Sequence, residues 1–164
     1  MEIAMDLPAG WDGRVYRRPV SQPLEPPGGA GFRAAGLETT QSIAHAANFA
    51  LPVERGDFGS GAVELMGRDH VFIALFEYGP ESVGTPLFEH QSQPRSLSTS
   101  SFSPASLQRT LPDQAGSQVF FSARDRAFCL YVVLGAHDNA QRLISLVNTV
   151  IGTIQILPSS VPRR

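Results

Sequence analysis

The sequence contains no lysine: all 13 basic residues are arginine. A chain without an ε-amine forms no Schiff base, supplies no P-loop lysine and uses no lysine general base. A GC-rich genome accounts for the bias, because arginine codons are GC-rich and lysine codons AT-rich. Cysteine is nearly absent as well. The one thiol, Cys129, cannot close an intramolecular disulfide, and no cysteine cluster exists to hold zinc. No apolar run approaches the ~20 residues of a membrane-spanning helix. Residues 1–10 carry Glu2 and Asp6 but no basic start followed by an apolar stretch. No signal peptide is therefore expected, and the expected location is the cytoplasm. Charge is sparse too, at 17% of residues with a formal net charge of -2. No whole-chain field draws the protein to nucleic acid or anionic lipid, so neither a nucleic-acid partner nor membrane insertion is expected.

What is present suits a folded core. The chain has 164 residues, 42% of them apolar, and a chain of this size buries roughly two thirds of its unfolded surface without a staple. One globular domain over residues 1–157 is expected. It should carry long Pro/Gly/Ser loops at 19–36 and 79–104, the second partly mobile, and a flexible tail at 158–164. Residues 3–7 read as a short strand, stopped at Pro8-Ala9-Gly10. Arg14–Arg17 read as a second strand, and Thr39–Leu51 as a third, ended by Pro52. Ala62–Met66 read as one helical turn. His70–Tyr78 has apolar residues on both faces and so belongs in the middle of a sheet. Ser117–Ala123 and Ala127–Leu134 flank a turn at Arg124-Asp125-Arg126 and form a hairpin. Asp138 or Asn139 is placed to cap a helix. Its stripe is Ala140, Leu143, Ile144, Val147, Val150, Ile151 and Ile154, with a stop at Gly152 and a last short strand over Thr153–Ile156.

Chemistry-bearing patterns are few. Gly56-Asp57-Phe58-Gly59-Ser60-Gly61 is the best candidate for an anion cradle. It lacks the Lys-Ser/Thr of a P-loop and the glycine spacing of a dinucleotide loop, so a structural turn is the expected reading. His45, His70, His90 and His137 are too far apart in sequence for one helix to present two as ligands, and no metal site is expected. Cys129 falls mid-strand, as a small buried hydrophobe. Ser98–Ser103 reads as flexible linker, and Glu77, Glu81 and Glu89 are not paired by any pattern. Arg14, Arg17 and Arg18, with Trp11 and Tyr16 nearby, form the densest basic cluster. They suit an acidic partner or, more simply, a strand edge protected by charge. The candidate binding residues are Trp11, Arg14, Arg17, Arg18, Asp57 and His70; no catalytic residue and no cofactor is assigned.

The turn Leu7-Pro8-Ala9-Gly10-Trp11 after a first strand, and the ending of strand Phe128–Leu134 followed by helix and strand over Leu143–Ile156, resemble the PsbP-like fold family. Small actinobacterial proteins have a similar outline. The resemblance implies an α/β/α sandwich on an antiparallel sheet. It also implies mostly non-enzymatic roles, as in photosystem-associated proteins, a Ran-binding protein and bacterial lipoproteins. The lipoprotein cysteine is missing near the start of this chain.

The expected fold is α+β: an antiparallel sheet of about five to six strands with a C-terminal helix packed on it. The expected function is a non-catalytic binding or adaptor domain acting through a protein partner. Two alternatives stand beside it. One is a subunit of a larger secretion or phage-like assembly, as a homo- or hetero-oligomer. The other is a small-ligand binder or enzyme whose site assembles from His45, Asp57, Asp69 and His70.

Overall fold

The computed structural model describes residues 3–19, 40–90 and 92–158. Most of the first predicted loop, at 20–36, and the tail beyond residue 158 lie outside the described residues.

The core is built on one antiparallel sheet of five strands. β2 (Asp12–Pro19), β3 (Thr40–Ala47), β4 (Val71–Tyr78), β5 (Ala115–Ala123) and β6 (Arg126–Leu134) lie in the order β2-β3-β4-β6-β5. A two-stranded sheet pairs β1 (Ile3–Ala4) with β7 (Gln155–Ile156). The helix α1 spans Ala140–Ile151. The mixed α+β class and the antiparallel sheet with its C-terminal helix are as the sequence predicts.

Successive residues of a strand point to opposite faces, and β4 and β6 use both faces. Val71, Ile73 and Leu75 of β4, with Phe128, Leu130, Val132 and Leu134 of β6, meet Leu143, Ile144, Val147, Val150 and Ile151 of α1. Ile3 and Ile156 of the small sheet close the same core. Phe72, Ala74 and Phe76, with Cys129, Tyr131 and Val133, face the other way. There the cover is irregular chain: Leu51, Phe58, Ala62, Val63 and Met66 from the β3–β4 connection, and Leu107 and Leu111 from the chain before β5. One layer is thus sealed by a helix, and the other by loops.

Four expectations are corrected. β3 ends at Ala47, not Leu51, because the Asn48 side chain takes over from the ladder. Its amide donates to the Asp69 carbonyl at 2.9 Å and accepts from the Val71 N–H at 2.7 Å. Neither Asp138 nor Asn139 caps α1 through its side chain. Asp138 is held by Arg68 at 2.6 Å, and Asn139 donates to Asp69 at 3.1 Å; a 3-10 turn at His137–Asn139 leads into the helix instead.

The third and fourth corrections concern order. The described residues of the 79–104 connection form a chain of docked 3-10 turns rather than irregular loop, and Ser98–Ser103 contains one of them at Thr99–Ser101. Buried Phe88 and Phe102 anchor the segment. Its backbone covers the outer edge of β5: Ser103 and Gly116 exchange two hydrogen bonds of 2.9 and 3.0 Å, and Ser122 N–H donates to His90 O at 2.7 Å. A covered edge cannot recruit another strand.

Candidate functional site

The site grows from the loop-covered face of β2. Asp12, Arg14, Tyr16 and Arg18 alternate onto that face, since Tyr16 pairs with Ile43, which belongs to the loop-side core. Asp12, Tyr16 and Arg18 organise the 51–64 connection above it. An Asp12 carboxylate oxygen accepts the Leu51 N–H at 3.0 Å, and Tyr16 Oη donates to Asp57 at 3.1 Å. Arg18 pairs with the same Asp57 carboxylate.

His45, buried on β3, is the pivot beneath this loop. Arg55 Nε can only donate, so His45 Nδ1 accepts from it at 2.8 Å. The ring proton then sits on Nε2 and is donated to the Asp57 carbonyl at 2.7 Å. Burial above all, and the Arg55 cation beside it, lower the imidazole pKa to about 4, against the pull of the Asp57 carbonyl and carboxylate. The ring is a neutral strut. Burial, followed by Asp57, raises the Tyr16 pKa to about 12, so its hydroxyl remains a donor.

That strut makes stability pH-dependent. An unfolded histidine titrates near ~6.5. Below that pH the unfolded chain takes up a proton that the folded one refuses. Stability is therefore full above pH ~6.5, falls as the pH drops and levels off below the folded pKa of about 4. The loss is at most about 3 kcal/mol. Urea midpoints taken from neutral pH down to about 4 should fall for the native chain and stay flatter for His45→Gln. Parallel curves for the two would exclude His45 as the source.

The glycine-rich loop itself is a structural turn. Gly56 N–H donates to Ser60 O, Gly59 N–H to Gly56 O, and Gly61 N–H to the Glu64 carboxylate, at 2.8, 2.9 and 2.6 Å. These amides are spent inside the loop and cannot cradle an anion.

Between this loop and residues 107–114 lies a pocket of about 400 Å3. Phe58, Val63, Leu107, Tyr131 and Val133 form its apolar surface. Two ion pairs border it: Arg18 with Asp57, and Arg109 with Glu64 at 3.0 Å. Ser60, Gln108 and Gln114 supply polar groups. Tyr131 Oη accepts the Gln108 N–H at 3.0 Å, and burial above all raises its pKa, so the hydroxyl keeps its proton. Gln114 is buried, and its Nε2 donates to Val63 O at 2.8 Å. Its Oε1 has no partner among the described residues.

Of the residues singled out from the sequence, Arg18 and Asp57 border this pocket and the rest do not. Arg14 pairs with Asp12 at 3.2 Å, and Arg17 lies on the opposite face of β2. The three-arginine cluster is therefore split by the strand's own alternation. Trp11 packs against the helix-side core after a turn in which its N–H bonds Pro8 O at 3.1 Å and Gly10 takes φ 83°. His70 stacks on Phe49 and accepts the Gly67 N–H at 2.9 Å, while Asp69 pairs with Arg142. Thus His45 and Asp57 meet, and His70 and Asp69 sit elsewhere. Cys129 is buried, and burial pushes its thiol up to about 12. Tyr131, Gln114, Arg109 and Glu64 are not singled out by any sequence pattern. The one signal is that Tyr131 is the sole hydroxyl within the otherwise apolar run Ala127–Leu134.

The fold and the pocket define a class: a mixed α+β domain with one helix-sealed sheet face and one loop-covered face holding a small amphipathic pocket. No family model, curated protein or solved structure matches the chain. Among the described residues, no helix is long and apolar enough to cross a membrane. Nor does any group of three or more His, Cys, Asp or Glu side chains among them suit a metal ion.

Proposed function

We propose that this chain is a non-catalytic binding domain that acts through a protein partner, and that the partner docks at the pocket between residues 57–64 and 107–114. One observation carries the reading. The pocket joins a formed apolar surface to a bordering pair of ion pairs, on a rigid sheet, within loops. Rigid scaffolds commonly present binding residues in this way. The charges are already matched, Arg18 by Asp57 and Arg109 by Glu64. They shape a recess and fix which side chains border it. The sequence's resemblance to the PsbP-like family, whose members are mostly non-enzymatic, implies the same kind of role.

The test is photo-crosslinking in the organism that encodes the protein. A benzophenone side chain at exposed Gln108, beside the pocket, is compared with one at exposed Gln141 on α1. A discrete protein adduct from position 108, absent from position 141, is expected. Adducts from 141 alone, or from neither position, would overturn the proposal.

A further inference from the structure

The two edges of the main sheet differ. The 79–104 connection covers the outer edge of β5, whereas among the described residues no chain pairs with the outer edge of β2. The register of β2 with β3 runs from Asp12 to Pro19 without a bulge. An edge of that kind is a template for another strand. Hydrogen bonds at the ends of β4 show which backbone groups it offers. Gly135 N–H donates to His70 O at 2.9 Å, and Asn48 N–H to Val71 O at 3.4 Å. Even-numbered β4 residues therefore turn their backbone groups toward β6 and odd-numbered ones toward β3. By the same alternation Asp12, Arg14, Tyr16 and Arg18 turn theirs toward β3, and Gly13, Val15 and Arg17 turn theirs outward. Gly13 O, on the outside, accepts from the Arg14 guanidinium at 3.2 Å. Beside Val15 lies a recess of about 330 Å3, whose apolar wall comes from Ile3, Met5, Leu7, Val15 and Leu157.

Side chains decide the occupant, because opposed residues of an antiparallel pair share a face. With Val15 opposite Val15 of a second copy, Asp12 stands opposite Arg18 and Arg14 opposite Tyr16, on both sides of the centre. Carboxylate then meets guanidinium, and guanidinium meets a phenol ring. The two valines meet beside the two apolar recesses. Moving the centre to residue 14 sets Arg14 against itself. Moving it to residue 16 sets Arg14 against Arg18, and Pro19, which has no N–H, against Gly13. Like charges directly opposite disfavour both alternatives. Within each chain Arg14 is matched by Asp12 at 3.2 Å and Arg18 by Asp57, so these two arginines do not meet a second edge as bare charges.

We infer that β2 pairs antiparallel with β2 of a second copy of this chain, centred on Val15, and joins the two five-stranded sheets into one. The same patch serves both copies and the β5 edge is covered, so the assembly closes at two chains. This pairing does not rest on the proposed function.

Sedimentation equilibrium of the whole chain over a dilution series reads the mass. Twice the 17.7 kDa of one chain is expected at the concentrated end. Val15→Pro removes an outward N–H and no bond to β3. It should weaken the dimer at least about tenfold, since two symmetric hydrogen bonds are lost. Cysteine substitutions read the register. In the Val15→Cys variant the two Cα atoms stand about 5.5 Å apart, within disulfide reach, and mild oxidation should link two chains. The Arg17→Cys variant should not link, because its counterpart lies four residues along the strand, roughly 13 Å away. Cys129 is buried and does not compete. A one-chain mass throughout the series overturns the inference and leaves the edge to a strand of another protein. Failure of Val15→Cys to link, preferential linkage through Arg17→Cys, or a dimer that a folded Val15→Pro variant leaves unweakened overturns it as well. Where Val15→Pro does not fold, the two cysteine variants decide.

Discussion

Arg126→Met is expected to destabilise the domain by about 3–5 kcal/mol, the usual result of removing one partner of a buried ion pair. Arg126 begins β6, and Glu77 lies near the end of β4, the strand beside it. The guanidinium grips the carboxylate with both ends, Nε to Oε1 at 2.6 Å and Nη2 to Oε2 at 2.7 Å. Both side chains are largely buried, 10% and 15% exposed. The same guanidinium donates to Leu157 O at 2.8 Å and lies 5.1 Å from the Phe128 ring centre. It therefore ties the chain just beyond β7 to the main sheet. Methionine keeps the stem's volume but leaves Glu77 charged, buried and without this partner. Denaturant unfolding with an unchanged slope measures the loss. The double variant Glu77→Leu/Arg126→Met should recover part of it, because replacing both charges by apolar groups removes the unpaired carboxylate. A single-variant loss below about 1 kcal/mol would show that the pair behaves as an exposed surface bridge.

Gly59→Ala should cost roughly 2–5 kcal/mol, with two separable causes. Gly59 has φ 83°, a left-handed backbone that costs an ordinary residue about 1–2 kcal/mol. A Cβ there would also stand 2.6 Å from Cε1 of the Phe72 ring. Phe72 is fully buried and packed edge to face on His45 at 5.0 Å, so it has no easy retreat. Gly10 separates the two causes. It has the same φ of 83°, and a Cβ there would meet nothing within 4 Å. Gly10→Ala should therefore show the backbone cost alone. Amide exchange should also rise across the Gly56–Val63 turn in Gly59→Ala and not in Gly10→Ala. Equal losses in the two variants would mean that the Gly59–Phe72 contact contributes nothing.

The frame was legible where burial on both faces leaves a continuous apolar run. Val71–Phe76 and Phe128–Leu134 admit no other place than the middle of a sheet, and the α1 stripe faces one core. The hairpin and the place of its turn were legible from the flanks; the turn's left-handed backbone was not, since Arg124 and Asp125 take φ 52° and 54° without a glycine. The order of the 79–104 connection was hidden because Ser and Pro dominate its composition. Two aromatics, Phe88 and Phe102, decide its fate by burying themselves.

The site was less legible for a different reason. Its residues come from β2, the 57–64 turn, the 107–114 segment and β6, and only the sheet order brings them together. Arg18 stood out as a member of the densest basic cluster, and Asp57 as the charge within a glycine-rich loop. Gln114 and Tyr131 owe their role to burial and to which hydrogen bonds are already made, and no spacing rule records that. Glu77 and Arg126 were likewise visible as separate charges, but their register partners sit one strand apart across 49 residues.

The central claim is that the loop-covered face, and not the helix-covered one, holds the binding site. Benzophenone crosslinking in the organism that encodes the protein, from exposed positions on each face, tests it most directly. The account predicts discrete protein adducts from Ser60 and Gln108, beside the pocket, and none from Gln141 or Ser145 on α1. Adducts from the α1 positions alone would contradict it.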